Sequence, residues 1–226
     1  MNKISCIICA FNEEPRIGAV LNALKEHPLL DEVIVVDDGS TDGTKKIIEQ
    51  NEWIRLISHP KNLGKSAAMC TGILNSKNDL LLFLDADLKD ISAEDVTALA
   101  MPVLENKSDV SISTRKNSLL IYKILGFDFF SGERIISKKY LIDHIEEIGK
   151  LPGYAIETYI NTIIVDNKLR VAIVYLKNVI HTMKAEKVGL WKGINLEIKM
   201  ALELVKYSSL MGILKQNYKL LKLRVD

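Results

Sequence analysis

Leu80-Leu81-Leu82-Phe83-Leu84-Asp85-Ala86-Asp87 decides how this chain reads. Five apolar residues in a row are too few for an ordinary helix and suit a strand buried on both faces. Such strands belong to parallel sheets sandwiched between helices. The run stops at two carboxylates one residue apart, so the strand delivers charge at its carboxyl end. Working outward, the same unit recurs. Ile4 to Ala10 reads as a buried strand and Arg16 to Glu26 as a helix, with Pro15 in its first turn. Glu32 to Val36 is a strand ending at Asp37-Asp38-Gly39-Ser40, and Thr41 or Asp42 suits the cap of a helix running to Gln50. Arg55 to Ser58 is a short strand and Lys65 to Asn75 a helix. Ser92 suits the cap of a helix to Glu105, and Asp109 to Thr114 returns as a strand. Strand and helix alternating at this spacing predict a mostly parallel sheet with helices on both faces. Ligands of such sheets sit beyond the carboxyl ends of the strands. The polar clusters at 11–14, 37–42 and 85–87 each follow a strand, so they should share one edge.

After residue 115 the pattern changes. Ile135 to Ile145 reads as a strand or short helix, Tyr154 to Val165 as a helix, Leu169 to Leu176 as a strand, and Trp191 onward as mostly helix. No repeat or Pro/Gly/Ser linker interrupts the 226 residues, so the expectation is one domain over 1–190 with a helical tail over 191–226. A composition of 48% hydrophobic and 26% charged residues excludes a disordered chain. Thirty basic against twenty-nine acidic residues argue against a general nucleic-acid binder. No run approaches the ~18 to 20 apolar residues of a membrane span. The opening Met1 to Cys6 lacks the layout of a secretory signal, and three cysteines suit a reducing compartment, so a cytoplasmic location is expected. Cys6-Ile7-Ile8-Cys9 spells CxxC inside a strand, where side chains three apart point to opposite faces. Those two thiols cannot share a metal or a disulfide.

Three clusters carry chemistry. Asp85 and Asp87 can hold a hard divalent cation and ribose hydroxyls together, and the cation neutralises a diphosphate leaving group. Asp37-Asp38 at a neighbouring strand end can accept from a base imide or from ribose hydroxyls. Gly64-Lys65-Ser66 resembles the end of a P-loop, but His59 stands where that motif needs its first glycine. Lys65 at a helix start can still approach a phosphate as a point charge.

These pieces, in this order, resemble glycosyltransferase family 2. The resemblance rests on Cys9-Ala10-Phe11-Asn12-Glu13-Glu14, Val35 to Thr44, Asn62-Leu63-Gly64-Lys65-Ser66-Ala67-Ala68 and Leu84-Asp85-Ala86-Asp87. It implies the GT-A fold, a nucleotide diphosphate sugar donor, UDP-linked rather than GDP-linked, and Mg2+ or Mn2+. Phe130-Ser131-Gly132-Glu133-Arg134, Leu151 to Glu157 and His181 are similar to the glucosyl-3-phosphoglycerate synthase branch. Most of the family inverts the anomeric centre, whereas that branch retains it. Carried over by position, Ala10, Phe11 and Glu13 would line the base pocket with Asp38 at the base edge. Lys65 would approach the diphosphate, Asp85 the ribose or donor sugar, and Asp87 the metal, completed by His181. Gly132 and Arg134 match the acceptor loop and Glu157 an acceptor-side acid, which makes Asp85 and Glu157 the expected catalytic pair. The family usually has proline where this chain has Cys9. A sugar nucleotidyltransferase would share the sheet but needs a basic Gly-rich loop after the first strand, and Asn12-Glu13-Glu14 is acidic. A non-catalytic relative would have lost the acidic triplet or Lys65, and both are present.

The tail from Lys192 carries seven Lys/Arg and three Asp/Glu, a net +4. Lys192, Asn195, Lys199, Glu203 and Lys206 form one narrow polar stripe at three- and four-residue steps, continued by Lys215, Lys219 and Lys222 past an expected break at Gly212. The wide apolar remainder must be covered. The catalytic sheet, a second copy of the chain or a membrane surface would each do so, the last near a lipid-linked rather than a small-molecule acceptor. A homodimer or a peripheral membrane association is the expectation.

Overall fold

The computed structural model describes residues 3–116, 131–152, 155–181 and 209–225. In chain order the first half gives β1 (Ile4–Ala10), α1 (Ile17–Leu24), β2 (Leu30–Asp37), α2 (Thr44–Glu49), β3 (Arg55–Ser58) and α3 (Lys65–Asn75). Then come β4 (Leu80–Asp85), β5 (Leu88–Lys89), α4 (Ala93–Leu104) and β6 (Val110–Arg115). The second half gives β7 (Arg134–Ser137), α5 (Ile145–Gly149), α6 (Ala155–Asp166), β8 (Val171–Leu176), β9 (Ile180–His181), α7 (Leu210–Lys222) and β10 (Arg224–Val225).

Among the described residues the main sheet has eight strands in the order β10-β8-β6-β7-β4-β1-β2-β3. All neighbours pair in parallel except around β7, which runs antiparallel between β4 and β6. Apolar residues of β1 alternate between the two faces. Cys6, Ile8 and Ala10 pack with α1 and α4, while Ile7 packs with α3, Phe83 and α6. Cys6 and Cys9 therefore lie on opposite faces and both thiols are free, as their spacing requires. This is the mostly parallel sheet that the alternating pattern predicted, and the GT-A arrangement that the family resemblance implied.

The strand order reverses between β1 and β4, because β2 and β3 build outward on one side and the later strands on the other. A crevice opens at such a switch point, beyond the carboxyl ends. Register brings Cys9 opposite Asp85 and Ala10 opposite Asp37, so the three polar clusters do share that edge.

Several local expectations need correction. The stretch after residue 134 is a four-residue strand followed by helical turns rather than one element, since β7 ends where Lys138 donates its backbone N–H to Asp79. Asp42, not Thr41, serves the start of α2, its carboxylate accepting from the Thr44 amide at 3.0 Å. Gly212 does not break the tail helix. Ser209 starts α7 instead, its hydroxyl accepting from Gly212 N at 3.1 Å. Residues 191–208 lie outside the described part, and with them most of the stripe from Lys192 to Lys206. The end of the tail completes the domain: Gln216 Nε2 donates to Thr158 O and Thr162 Oγ1 of α6, Leu220 is buried, and β10 extends the sheet beside β8. No helix among the described residues is long and apolar enough to cross a membrane.

Candidate functional site

Two residues past the end of β1, Asn12 lies in the left-handed region, φ 56°, which its short polar side chain tolerates. That turn lays the 12–14 loop against the 40–44 loop. Thr41 N donates to Asn12 Oδ1 at 2.8 Å, Asn12 N to Ser40 Oγ at 3.0 Å, Glu13 N to Thr44 Oγ1 at 2.8 Å and Gly43 N to Glu14 Oε2 at 2.8 Å. The two loops are one stitched wall of the crevice. Phe11 stands on it 42% exposed, an aromatic face without cover.

Asp38 is buried and turns away from that wall. Its Oδ1 accepts from His59 Nδ1 at 2.7 Å and from Leu63 N at 2.9 Å, and its Oδ2 from Gly64 N at 2.8 Å. His59 Nε2 in turn meets Thr71 Oγ1 at 2.9 Å. This carboxylate anchors the loop that leads into α3, where Gly64 takes φ 96°, a value that excludes most side chains.

α3 then presents Lys65 to the crevice. Its Nζ donates to Asp85 Oδ1 and to Glu157 Oε1, both at 2.8 Å, although these residues lie 20 and 92 positions away in sequence. Burial alone would lower the lysine's pKa. The two carboxylates outweigh it and hold Lys65 well above the usual lysine value, so it is charged throughout the neutral range. On the far side of Asp85, Arg115 Nη1 stands 3.8 Å from Oδ2 and 3.2 Å from Glu133 Oε1. Gly132 presses on the same carboxylate: a Cβ there would stand 2.7 Å from Asp85 Oδ1. Beyond Asp85 the chain turns through Ala86 to the buried Asp87, and β5 pairs antiparallel with β9, Leu88 opposite His181. The backbone thus brings His181 to a ladder position one residue removed from Asp87.

Residues 5–120, just over half of the chain, match the family model of Glycosyl transferase family 2. The chain belongs to glycosyl transferase family 2. Among curated relatives it is 38% identical to dolichyl-phosphate beta-glucosyltransferase ALG5C of Trichomonas vaginalis, over 36% of this chain and 28% of that protein. It is 29% identical to UDP-N-acetylglucosamine–dolichyl-phosphate N-acetylglucosaminyltransferase of Methanococcus voltae, over 57% of this chain and 61% of the relative. The matches thus span only about a quarter to three fifths of these relatives' lengths. The fold is also that of glucosyl-3-phosphoglycerate synthase from Mycobacterium tuberculosis, solved with Mn2+, UDP and glucosyl-3-phosphoglycerate. The TM-score is 0.71 at 23% identity, covering 90% of this chain and 77% of that one.

At this crevice the structure brings Lys65, Asp85, Gly132 and Glu157 together, with Asp87 two residues past Asp85 and the β9 backbone of His181 paired opposite Leu88. The other expected positions have protein partners of their own. Ala10 is buried and accepts the Asp38 amide at 2.8 Å through its carbonyl. Glu13 is buried and paired with Arg16, so its carboxylate braces the start of α1. Arg134 is only 1% exposed, and its guanidinium donates to Asn161 Oδ1 and Ser131 O. Strand alternation explains this: Arg134 follows the face of β7 toward α6, while Glu133 takes the other. Arg115, Glu133 and His59 were not singled out by the sequence. For Arg115 a signal existed, because it ends a strand parallel to β4 and so falls on the ligand edge.

Proposed function

We propose that this chain transfers a sugar from a nucleotide diphosphate sugar, UDP-linked in preference to GDP-linked, to a phosphate-bearing acceptor. The observation that carries the reading is the Lys65 bridge between Asp85 and Glu157 at the switch-point crevice of a family-2 fold. Phe11, exposed on the stitched wall, offers a stacking face for the base. Asp85 would accept from donor hydroxyls, with Lys65 set to swing its charge toward the diphosphate.

The residues present suit Mg2+ or Mn2+. Glu157, Asp85 and Glu133 against Lys65 and Arg115 leave one negative charge in excess, and the buried Asp87 adds a second. Among the described residues no group of three or more His, Cys, Asp or Glu closes a cage. An open site with one or two protein ligands is what such cations take when substrate phosphates supply the rest. Asp87 and His181 would hold the ion, which would neutralise the diphosphate as it leaves.

The relatives' names support a phosphorylated polyprenol as acceptor, dolichyl phosphate in both cases. The burial of Arg134 weighs against a phosphoglycerate acceptor, for which that side chain was the expected contact. A phosphate acceptor is already ionised near neutral pH. Glu157 then serves to hold Lys65, and takes a proton only from a hydroxyl acceptor. A lipid acceptor also suits α7, whose exposed side carries Met211 (61%), Leu214 (55%) and Tyr218 (61%) with Lys215, Lys219 and Lys222, and Ser209–Val225 contains no acidic residue. That face fits an anionic membrane surface, with a second copy of the chain as the other cover.

The test is a panel of UDP-glucose, UDP-galactose, UDP-N-acetylglucosamine and GDP-mannose with Mn2+, offered with polyprenyl phosphate or 3-phosphoglycerate, followed by anomeric analysis of the product. Metal-dependent transfer from a UDP-sugar to polyprenyl phosphate is the expected result. Consumption of none of these donors, or pyrophosphate release from a sugar phosphate and a nucleoside triphosphate, would overturn the reading.

A further inference from the structure

Asp85 is held from three sides. Lys65 grips Oδ1 at 2.8 Å, the Gly132 backbone packs against both oxygens, and Arg115 Nη1 lies 3.8 Å from Oδ2. That last distance is too long for a hydrogen bond, so the attraction of Arg115 for Asp85 is Coulombic. Arg115 is itself fixed from behind. Its Nη1 donates to Glu133 Oε1 at 3.2 Å, and Glu133 is 0% exposed. The other Glu133 oxygen accepts from Ser113 Oγ at 2.7 Å and also from the Ser131 hydroxyl. A buried carboxylate without donors, or a buried guanidinium without a counter-charge, would be costly; here each satisfies the other. Charges therefore alternate from the interior to the crevice as Glu133, Arg115, Asp85, Lys65, Glu157. Among these five side chains Lys65 is the most exposed at 32% and Asp85 follows at 16%, so the middle of the series meets the crevice, and Arg115 at 10% stands behind Asp85.

We infer that Arg115, oriented by Glu133, is a positioning residue that acts on the donor through Asp85, opposing rotation of its carboxylate as Lys65 turns to the diphosphate. This rests on the reading of Asp85 as a donor contact. A double-mutant cycle separates action through Asp85 from direct contact and from general support of the fold. UDP and UDP-glucose are titrated calorimetrically, with Mn2+ present, into the unaltered chain, Arg115→Met, Asp85→Asn and the double variant, with melting curves beside them. Each single change is expected to weaken UDP-glucose binding about tenfold, and the double to be weakened no further than Asp85→Asn alone. Arg115→Lys, which keeps the charge, should recover part of the loss. Losses that multiply to about a hundredfold in the double variant would overturn the inference. If Arg115→Met does not fold, the same cycle with Arg115→Lys and with Glu133→Gln decides by the same criterion. Should the unaltered chain bind neither ligand, the donor reading and the inference fall together. Binding with multiplicative losses removes the inference alone.

Discussion

Gly132 has no room for a side chain because the Asp85 carboxylate occupies the space, 2.7 Å from where a Cβ would stand. Gly132→Ala should therefore displace Asp85 while leaving the surrounding strands paired. The expected outcome is a loss of about tenfold or more in kcat/KM for the UDP-sugar, with the melting temperature nearly unchanged. Lys65 carries a different penalty. Lys65→Met removes the cation that bridges Asp85 and Glu157, which should lower stability by about 1 to 3 kcal/mol once partial exposure is allowed for. The folded-state pKa of Lys65 lies above the ordinary 10.5, so its contribution is fully present below that value and fades only as pH rises through the raised one. The gap in urea stability between the two proteins should thus stay constant from about pH 7 to 9. That Asp85, Asp87 and Lys65 would lie at one edge of the sheet could be read from the sequence, because each sits at a strand or helix end that must meet that edge. Glu133 could not, since nothing local distinguishes a carboxylate that faces an interior arginine from one that faces water. Nor was the anchoring role of Asp38 legible, because its oxygens accept from loop amides 25 and 26 residues away in sequence.

The position of α3 controls that of Lys65, and Gly72 controls the position of α3. A Cβ at Gly72 would stand 2.4 Å from Ile7 Cγ2 of β1, so the helix lies closer to the sheet than any larger residue permits. Gly72→Ala should force α3 outward, cost about 1 to 3 kcal/mol in urea unfolding, and lower donor affinity by moving Lys65. An alanine that stabilised the protein through its better helix propensity, with affinity unchanged, would contradict this packing. The elements of the first half were legible because each is short, strongly patterned and punctuated by Gly, Pro or a capping residue. Ser92 and Asp95, for example, form the reciprocal cap that starts α4. β7 was not legible as a separate antiparallel strand. Its four residues carry no period of their own, and their place between β4 and β6 is fixed by pairing with strands far away in sequence. The same holds for β10, two residues whose strand character comes entirely from β8.

At the scale of the whole molecule, a half-buried ionic cluster sits at one edge of the sheet and a basic, apolar helix face lies on α7. If α7 meets anionic lipid, flotation with phosphatidylglycerol vesicles should carry the protein upward at low salt, and Met211→Ser with Leu214→Ser should abolish it without a change in melting temperature. A dimer in light scattering that the same pair dissolves would assign the face to a second copy instead. The edge on which the acidic clusters meet could be anticipated from the alternating pattern, whereas the reversal of strand order between β1 and β4 could not, because alternation does not fix which strands pair. The contact between Glu157 and Lys65 was not legible: the resemblance put Lys65 at the diphosphate and Glu157 on the acceptor side, and residues 92 apart have no local signature of contact. The most direct measurement of the central claim is calorimetric titration of UDP with and without Mn2+, into the unaltered chain and Asp87→Ala. Binding that strengthens about tenfold or more with Mn2+ in the unaltered chain, and ignores Mn2+ in Asp87→Ala, is the outcome expected of a metal-assisted nucleotide-sugar site. UDP affinity that is absent in the unaltered chain, or equally responsive to Mn2+ after Asp87→Ala, would contradict it.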